Sequence, residues 1–163
     1  LFGTINTVKA VLPQMRKQKR GRIICISSVA AVYSIPFQAY YSASKAAINS
    51  FVDALTNEVK SFGIEVTSVM PGDISTGFTA ARIKSNAGDD VYSGVIGSAV
   101  SAMEKDEKNG MTPDSVARLV VKLAEKKHVA PLYTAGLQYK TLVFLSRLLP
   151  HKLAVKVVGG MYK

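Results

Sequence analysis

Two short runs, Arg22-Ile-Ile-Cys-Ile-Ser27 and Ile64-Glu-Val-Thr-Ser-Val-Met70, are almost wholly apolar and rich in β-branched residues. A strand that is apolar at successive positions is covered on both faces, which is the habit of parallel sheets. Parallel neighbours cannot be joined by a tight turn and need a crossover of a dozen or more residues, usually a helix. The stretch between the two runs supplies one: from about Tyr40 to Phe62, Ala47, Phe51, Leu55 and Val59 recur at helical spacing, and Gly63 suits the C-terminal cap.

The rest of the chain continues the alternation. Residues 1–19 read as a helix with Ile5, Val8, Leu12 and Met15 on one face, and Pro13 should kink it or end it early. Residues 73–111, with Gly77, Gly88, Gly94, Gly97 and Gly110, read as mobile loop and short helices. Thr112-Pro-Asp114 is a helix start in which Thr caps and Pro takes the first helical position; Val116, Leu119, Val120 and Leu123 form the buried face that follows. Val129 to Thr134 supplies a third strand, and residues 137–162 two apolar helical segments broken at Pro150 and closing on Gly159-Gly160. The expected fold is α/β, a partial Rossmann-type (doubly wound) parallel sheet with flanking helices, formed by residues 1–163 as part of one domain.

With 163 residues, 48% of them hydrophobic, the chain can bury a core, and disorder is excluded as the main state. The net charge of +10 is uneven: +6 over residues 1–22, −4 over 23–115 and +8 over 116–163. No zinc finger, RNA-binding aromatic signature or phosphate-clamping loop accompanies these bases, so no nucleic-acid partner is expected. The single cysteine, Cys25, excludes an internal disulfide; flanked by isoleucines, it reads as a buried, inert residue and fits a reducing, cytoplasmic setting. His128 and His151 stand alone, so no metal site is expected. In residues 137–162, Leu142-Val-Phe-Leu145 and Leu148-Leu149 are flanked by Lys140, Arg147, His151, Lys152 and Lys156. Such a segment either packs on the sheet or another subunit, or lies on a membrane surface.

Three features carry chemistry. Tyr41-Ser-Ala-Ser-Lys45 places phenol and ammonium on one helix face at i,i+4, whereas Tyr40 has Ser44 at that distance. A free tyrosine titrates near pH 10 and is a poor acid–base catalyst at neutrality, but a nearby ammonium favours the phenolate. Ser28 stands at the carboxyl end of the first strand, where open parallel sheets place ligands. Pro71-Gly-Asp-Ile-Ser-Thr76 offers a rigid turn, backbone amides and a hydroxyl at the end of the second strand. Each has an ordinary structural explanation alone; their order and spacing, with Tyr41 thirteen positions after Ser28, do not.

This arrangement resembles the short-chain dehydrogenase/reductase family, closely from Leu1 to about Phe78 and more loosely beyond, with Leu1-Phe-Gly-Thr4 and Val11-Leu-Pro-Gln-Met15 matching the helix before the serine strand. The resemblance implies an oxidoreductase moving hydride between NAD or NADP and an alcohol or carbonyl carbon. Tyr41 would be the general acid/base, Lys45 would lower its pKa and hold the nicotinamide ribose, and Ser28 would bind the substrate oxygen. Pro71, Gly72, Ile74 and Thr76 would line the nicotinamide side. Phe78, Ile83, Val91, Tyr92 and Met103 suggest a mostly apolar lid, compatible with a lipid-like, steroid or other apolar small-molecule alcohol or carbonyl substrate, or else form the core of short helices.

Departures from the pattern matter too. The family's glycine-rich turn, its adenine-side residue and its additional catalytic asparagine have no counterpart here, Asn6 not being that asparagine, and Ala31 stands where many members have glycine. The sequence therefore predicts a C-terminal catalytic portion lacking the N-terminal dinucleotide-binding half. Its first strand should then be bare at one edge, with Ile23, Ile24, Cys25 and Ile26 facing helices only partly present, and the chain should self-associate as a homo-oligomer. An inactive fragment serving as an interaction or membrane-associated module is the alternative.

Overall fold

The computed structural model describes residues 1–84 and 87–162. A helix α1 (Phe2–Lys17) leads into strand β1 (Gly21–Ile26); the crossover helix α2 (Ala39–Val59) returns to strand β2 (Ile64–Met70). Helices α3 (Val95–Lys108) and α4 (Pro113–Glu125) precede the short strand β3 (Leu132–Thr134), and α5 (Leu137–Ser146) and α6 (His151–Met161) follow it. The sheet has the order β1-β2-β3 with both pairings parallel; Gly21 lies beside Ile64, Ile26 beside Val69 and Met70 beside Thr134.

Strand alternation sends β1 and β2 side chains to two cores. On one face Ile23, Cys25, Ile64 and Val66 pack with Val8 of α1 and with Ile48, Val52, Leu55 and Val59 of α2. On the other, Val69 meets Val116 and Leu123 of α4, with Ile24, Leu119 and Val120 packed against them. Cys25 is buried, and burial pushes its thiol pKa up, which keeps it in the inert thiol form. β1 is an edge strand, but its faces are covered at Ile23, Ile24 and Cys25; of the four residues expected to be bare, Ile26 alone is largely exposed, at 46%.

Several local expectations are corrected. α1 passes through Pro13 to Lys17: Pro13 and Lys9 are exposed, so the carbonyl that loses its partner faces water. Residues 73–111 contain a full helix, α3, whose Ala99 and Met103 are buried one turn apart. Thr112 precedes α4 without a side-chain cap; instead the Ser115 hydroxyl donates to the Thr112 carbonyl at 2.6 Å. α6 continues through Gly159 and Gly160 in helical backbone to Met161. Gly63, by contrast, turns the chain into β2 at φ +67°, and a Cβ there would lie 2.5 Å from the Lys19 carbonyl oxygen.

Arg22 ties both strands to α4. It lies beside Glu65 in the β1–β2 register and pairs with its carboxylate. Its guanidinium also donates to the carbonyls of Leu123 (2.8 Å) and Ala124 (3.0 Å), which end α4, and of Lys127 (3.1 Å). One planar donor fork thus satisfies carbonyls that the helix end leaves without partners. Arg22→Met keeps the stem's packing but removes these bonds, and should cost about 2 kcal/mol in urea unfolding. A midpoint unchanged from the parent would show that water replaces Arg22 without loss.

Candidate active site

The carboxyl ends of β1 and β2 open on a cavity of about 1180 Å³. The candidate catalytic and cofactor-side residues read from the sequence all line it: Ser28, Tyr41, Lys45, Pro71, Gly72, Ile74 and Thr76. Past the strands the pairing continues, with the Ser27 N–H donating to the Val69 carbonyl at 2.8 Å and the Val29 N–H to the Pro71 carbonyl at 2.9 Å. These bonds hold the serine turn level with the proline turn.

Ser28, 8% exposed, accepts the Ala30 N–H at 3.1 Å and so caps the short turn Val29–Ala31; its own proton is left to donate. α2 begins over this edge. Lys45 Nζ donates to the Ile26 carbonyl at 3.0 Å, while the Ser27 hydroxyl donates to the Lys45 carbonyl at 3.0 Å, a reciprocal tie between strand end and helix. Burial lowers the Lys45 pKa, because the charged form loses hydration. The ammonium lies 5.6 Å from the centroid of the Tyr41 ring, and Tyr41 itself is 38% exposed toward the cavity.

The proline turn is held from below by Gly110 and Met111: Met111 N–H donates to the Asp73 carbonyl at 2.8 Å, and Ser75 N–H to the Met111 carbonyl at 2.9 Å. From above it is held by Tyr139 of α5, a residue the sequence did not single out. The Tyr139 hydroxyl donates to Asp73 Oδ2 at 2.8 Å and accepts the Asp73 N–H at 3.0 Å. Its ring occupies the space over Gly72, where a Cβ would lie 2.1 Å from Cζ. Glycine stands at 72 because an aromatic ring sits there. The pairing spans 66 residues, and its only sequence signal is a tyrosine in an apolar helix, which a buried phenol must satisfy with a distant polar partner.

Of the apolar residues expected to form a lid, Phe78, Ile83 and Met103 line the cavity and Val91 and Tyr92 do not; Tyr92 packs edge-on against the lining residue Phe37 at 5.7 Å. The opposite wall, Leu142, Leu145, Leu149, Val157 and Val158, comes from α5, α6 and the turn between them. Arg82 also faces the cavity, paired with Glu107 at 2.5 Å. Among the described residues no group of three or more His, Cys, Asp or Glu is placed to hold a metal ion.

Comparison with known proteins agrees with this geometry. The family described as short chain dehydrogenase matches residues 1–87. A 3-ketodihydrosphingosine reductase of Bacteroides thetaiotaomicron is 43% identical over 129 residues, which make up 78% of this chain and 48% of that protein. A short-chain dehydrogenase from Streptomyces avermitilis superimposes with a TM-score of 0.71 at 23% identity, over 91% of this chain and 54% of that one. A 3-oxoacyl-(acyl-carrier protein) reductase from Brucella melitensis, solved with bound NAD, does so with a TM-score of 0.60 at 27% identity, over 84% of this chain and 47% of that one. The chain spans about half the length of the curated relatives it matches. The expectation of a chain lacking the dinucleotide-binding part is corrected: the family match begins at residue 1, and the matched segment includes the β1–α2 unit by which such folds meet a dinucleotide, at the carboxyl edge of the sheet.

Two outcomes test the Tyr139–Asp73 clamp. Tyr139→Phe keeps the ring over Gly72 but leaves the Asp73 N–H and carboxylate without their partner, and should cost about 1–2 kcal/mol. Burial raises the Asp73 pKa above the ordinary carboxylate value, so the folded state holds this proton more tightly than the unfolded chain. The resulting stability is present at acid pH and is lost as pH rises through the folded pKa. Asp73→Asn should therefore lose less stability than the parent between about pH 4 and pH 7. Parallel urea midpoints for the two proteins across that range would refute the assignment.

Proposed function

Since the chain belongs to the short chain dehydrogenase family, we propose that it serves an NAD(P)-dependent oxidoreductase acting on an alcohol or carbonyl carbon, with Tyr41 as general acid/base. The observation that carries this reading is the convergence of Ser28, Tyr41, Lys45 and the Pro71–Thr76 turn on one cavity at the carboxyl edge of β1 and β2. When bound, the nicotinamide supplies or takes the hydride. The donor set suits its ribose: Lys45 commits one N–H to the Ile26 carbonyl and presents a half-buried ammonium beside Tyr41. Pro71, Gly72, Ile74 and Thr76 line the same cavity and would face the nicotinamide. Ser28 donates to the substrate oxygen as it gains charge, and Tyr41 gives or takes the proton on that oxygen.

For the substrate we propose a ketone or alcohol bearing a long apolar chain. Phe37, Phe78, Ile83, Val100, Leu142 and Val157 make much of the cavity's lining apolar, and the Bacteroides relative is named a 3-ketodihydrosphingosine reductase. Self-association through the outer side of β1 belongs to the same proposal: among the described strands β1 has one neighbour only, and an unpaired strand edge is a template for pairing.

The test is cofactor-dependent turnover of a long-chain ketone. Tyr41→Phe removes the transferable proton while keeping the ring, and should lower turnover by about 10²-fold or more. Lys45→Met keeps the stem but removes the charge and its N–H donors, and should raise the KM for the cofactor by about tenfold. Turnover in Tyr41→Phe within a few-fold of the parent, or an unchanged cofactor KM in Lys45→Met, would overturn the assignment.

A further inference from the structure

The helices that close the cavity have a second face. α5 and α6 are anchored inward by Tyr139, Val143 and Val158, which are buried. Their outer side remains apolar: Phe144 is 61% exposed, Leu148 66% and Val155 57%, and none of the three lines the cavity. At 100° per residue, Lys152 and Lys156 lie on the side of α6 opposite Val158, with Leu153 and Val155 flanking them. Lys140 and Arg147 extend the basic character, and the sequence from residue 126 to its end holds no Asp or Glu.

From this combination we propose that the outer face of residues 137–162 docks on the surface of an anionic phospholipid bilayer. Exposed apolar side chains set among lysines match what an interfacial helix needs, apolar groups for the acyl boundary and cations for the headgroups. A second copy of the chain is a poorer occupant, because a twofold contact would set this acid-free face against itself and oppose like charges. No helix among the described residues is long and apolar enough to cross a membrane, so the contact is with the surface. It also places the cavity wall formed by Leu142 and Val157 on the same helices that meet the lipid.

The experiment is flotation of the full 163-residue chain with vesicles of phosphatidylserine and phosphatidylcholine, against vesicles of phosphatidylcholine alone. Binding should require phosphatidylserine and fall by about tenfold in K152E/K156E, while the same reversal on α1, R16E/K17E, changes it little. The chain has no tryptophan, so Phe144→Trp is a single reporter, and its emission should shift to the blue on phosphatidylserine vesicles. Equal losses from the two charge reversals would assign binding to overall charge and overturn the proposal. So would an unshifted indole emission from the vesicle-bound Phe144→Trp variant, an absence of binding, or a dimer in lipid-free sedimentation that Phe144→Asp dissolves.

Discussion

The site rests on the parallel register of β1 with β2. Parallel strands oblige the chain to cross back over the sheet between them, so the crossover helix must run opposite to the strands and begin above their carboxyl ends. Tyr41 and Lys45 belong to the opening turns of α2, and topology alone therefore delivers them to the edge where Ser28 and Pro71 emerge. With Ile26 beside Val69, the two strands end level with one another, and the bonds Ser27 to Val69 and Val29 to Pro71 carry the pairing into the two turns. A slip of one residue would reverse every side chain's face, moving Cys25 and Val66 out of the core they share.

Position above the edge is then refined by polar groups that the sheet leaves over. Ile26 ends β1 with a carbonyl that has no strand beyond it, and Lys45 takes that acceptor; Ser27 returns a donor to the Lys45 carbonyl. One turn further along α2, Asn49 is buried and accepts the Ser68 hydroxyl at 3.1 Å. These contacts order α2 along β1 and β2 so that a half-buried ammonium is held beside the Tyr41 ring, in surroundings that disfavour its charge. The cost of that burial falls on Lys45, a cation in contact with both the strand end and the tyrosine. Structural cations such as Arg22 are instead placed among carbonyls and a carboxylate that compensate them.

Legibility in the sequence followed the range of the interactions involved. β2 was readable to the residue, and α2 nearly so, because apolar runs, helical spacing and Gly63 are local signals. The candidate site's Ser28, Tyr41 and Lys45 were readable for the same reason: their spacing along the chain is a consequence of the crossover. α3 was not, since its apolar spacing is confined to Ala99 and Met103 among scattered glycines. Tyr139 was missed because its partners, Gly72 and Asp73, lie 66 residues away and nothing in the sequence pairs them. Pro13 and Gly159-Gly160 misled in the opposite sense, since a helix-breaking residue has its effect only where the freed backbone group lacks water or the chain must turn.

The cavity walls differ in how they are held. The wall formed by Ser28, Tyr41 and Pro71 is an extension of a sheet buried on both faces, whereas the wall formed by α5 and α6 is fastened at a few points: Tyr139 to Asp73, the Tyr33 hydroxyl to the Leu142 carbonyl, and the buried side chains Val143 and Val158. Regions with few buried apolar contacts open at lower free energy than the core they lean on. The C-terminal helices are thus the less firmly held wall, and the edge formed by Ser28, Tyr41 and Pro71 the more firmly held one. The Tyr139–Asp73 bond joins the two, so that α5 is tied to the proline turn, and displacement of α5 is felt first at Gly72, directly beneath the tyrosine ring.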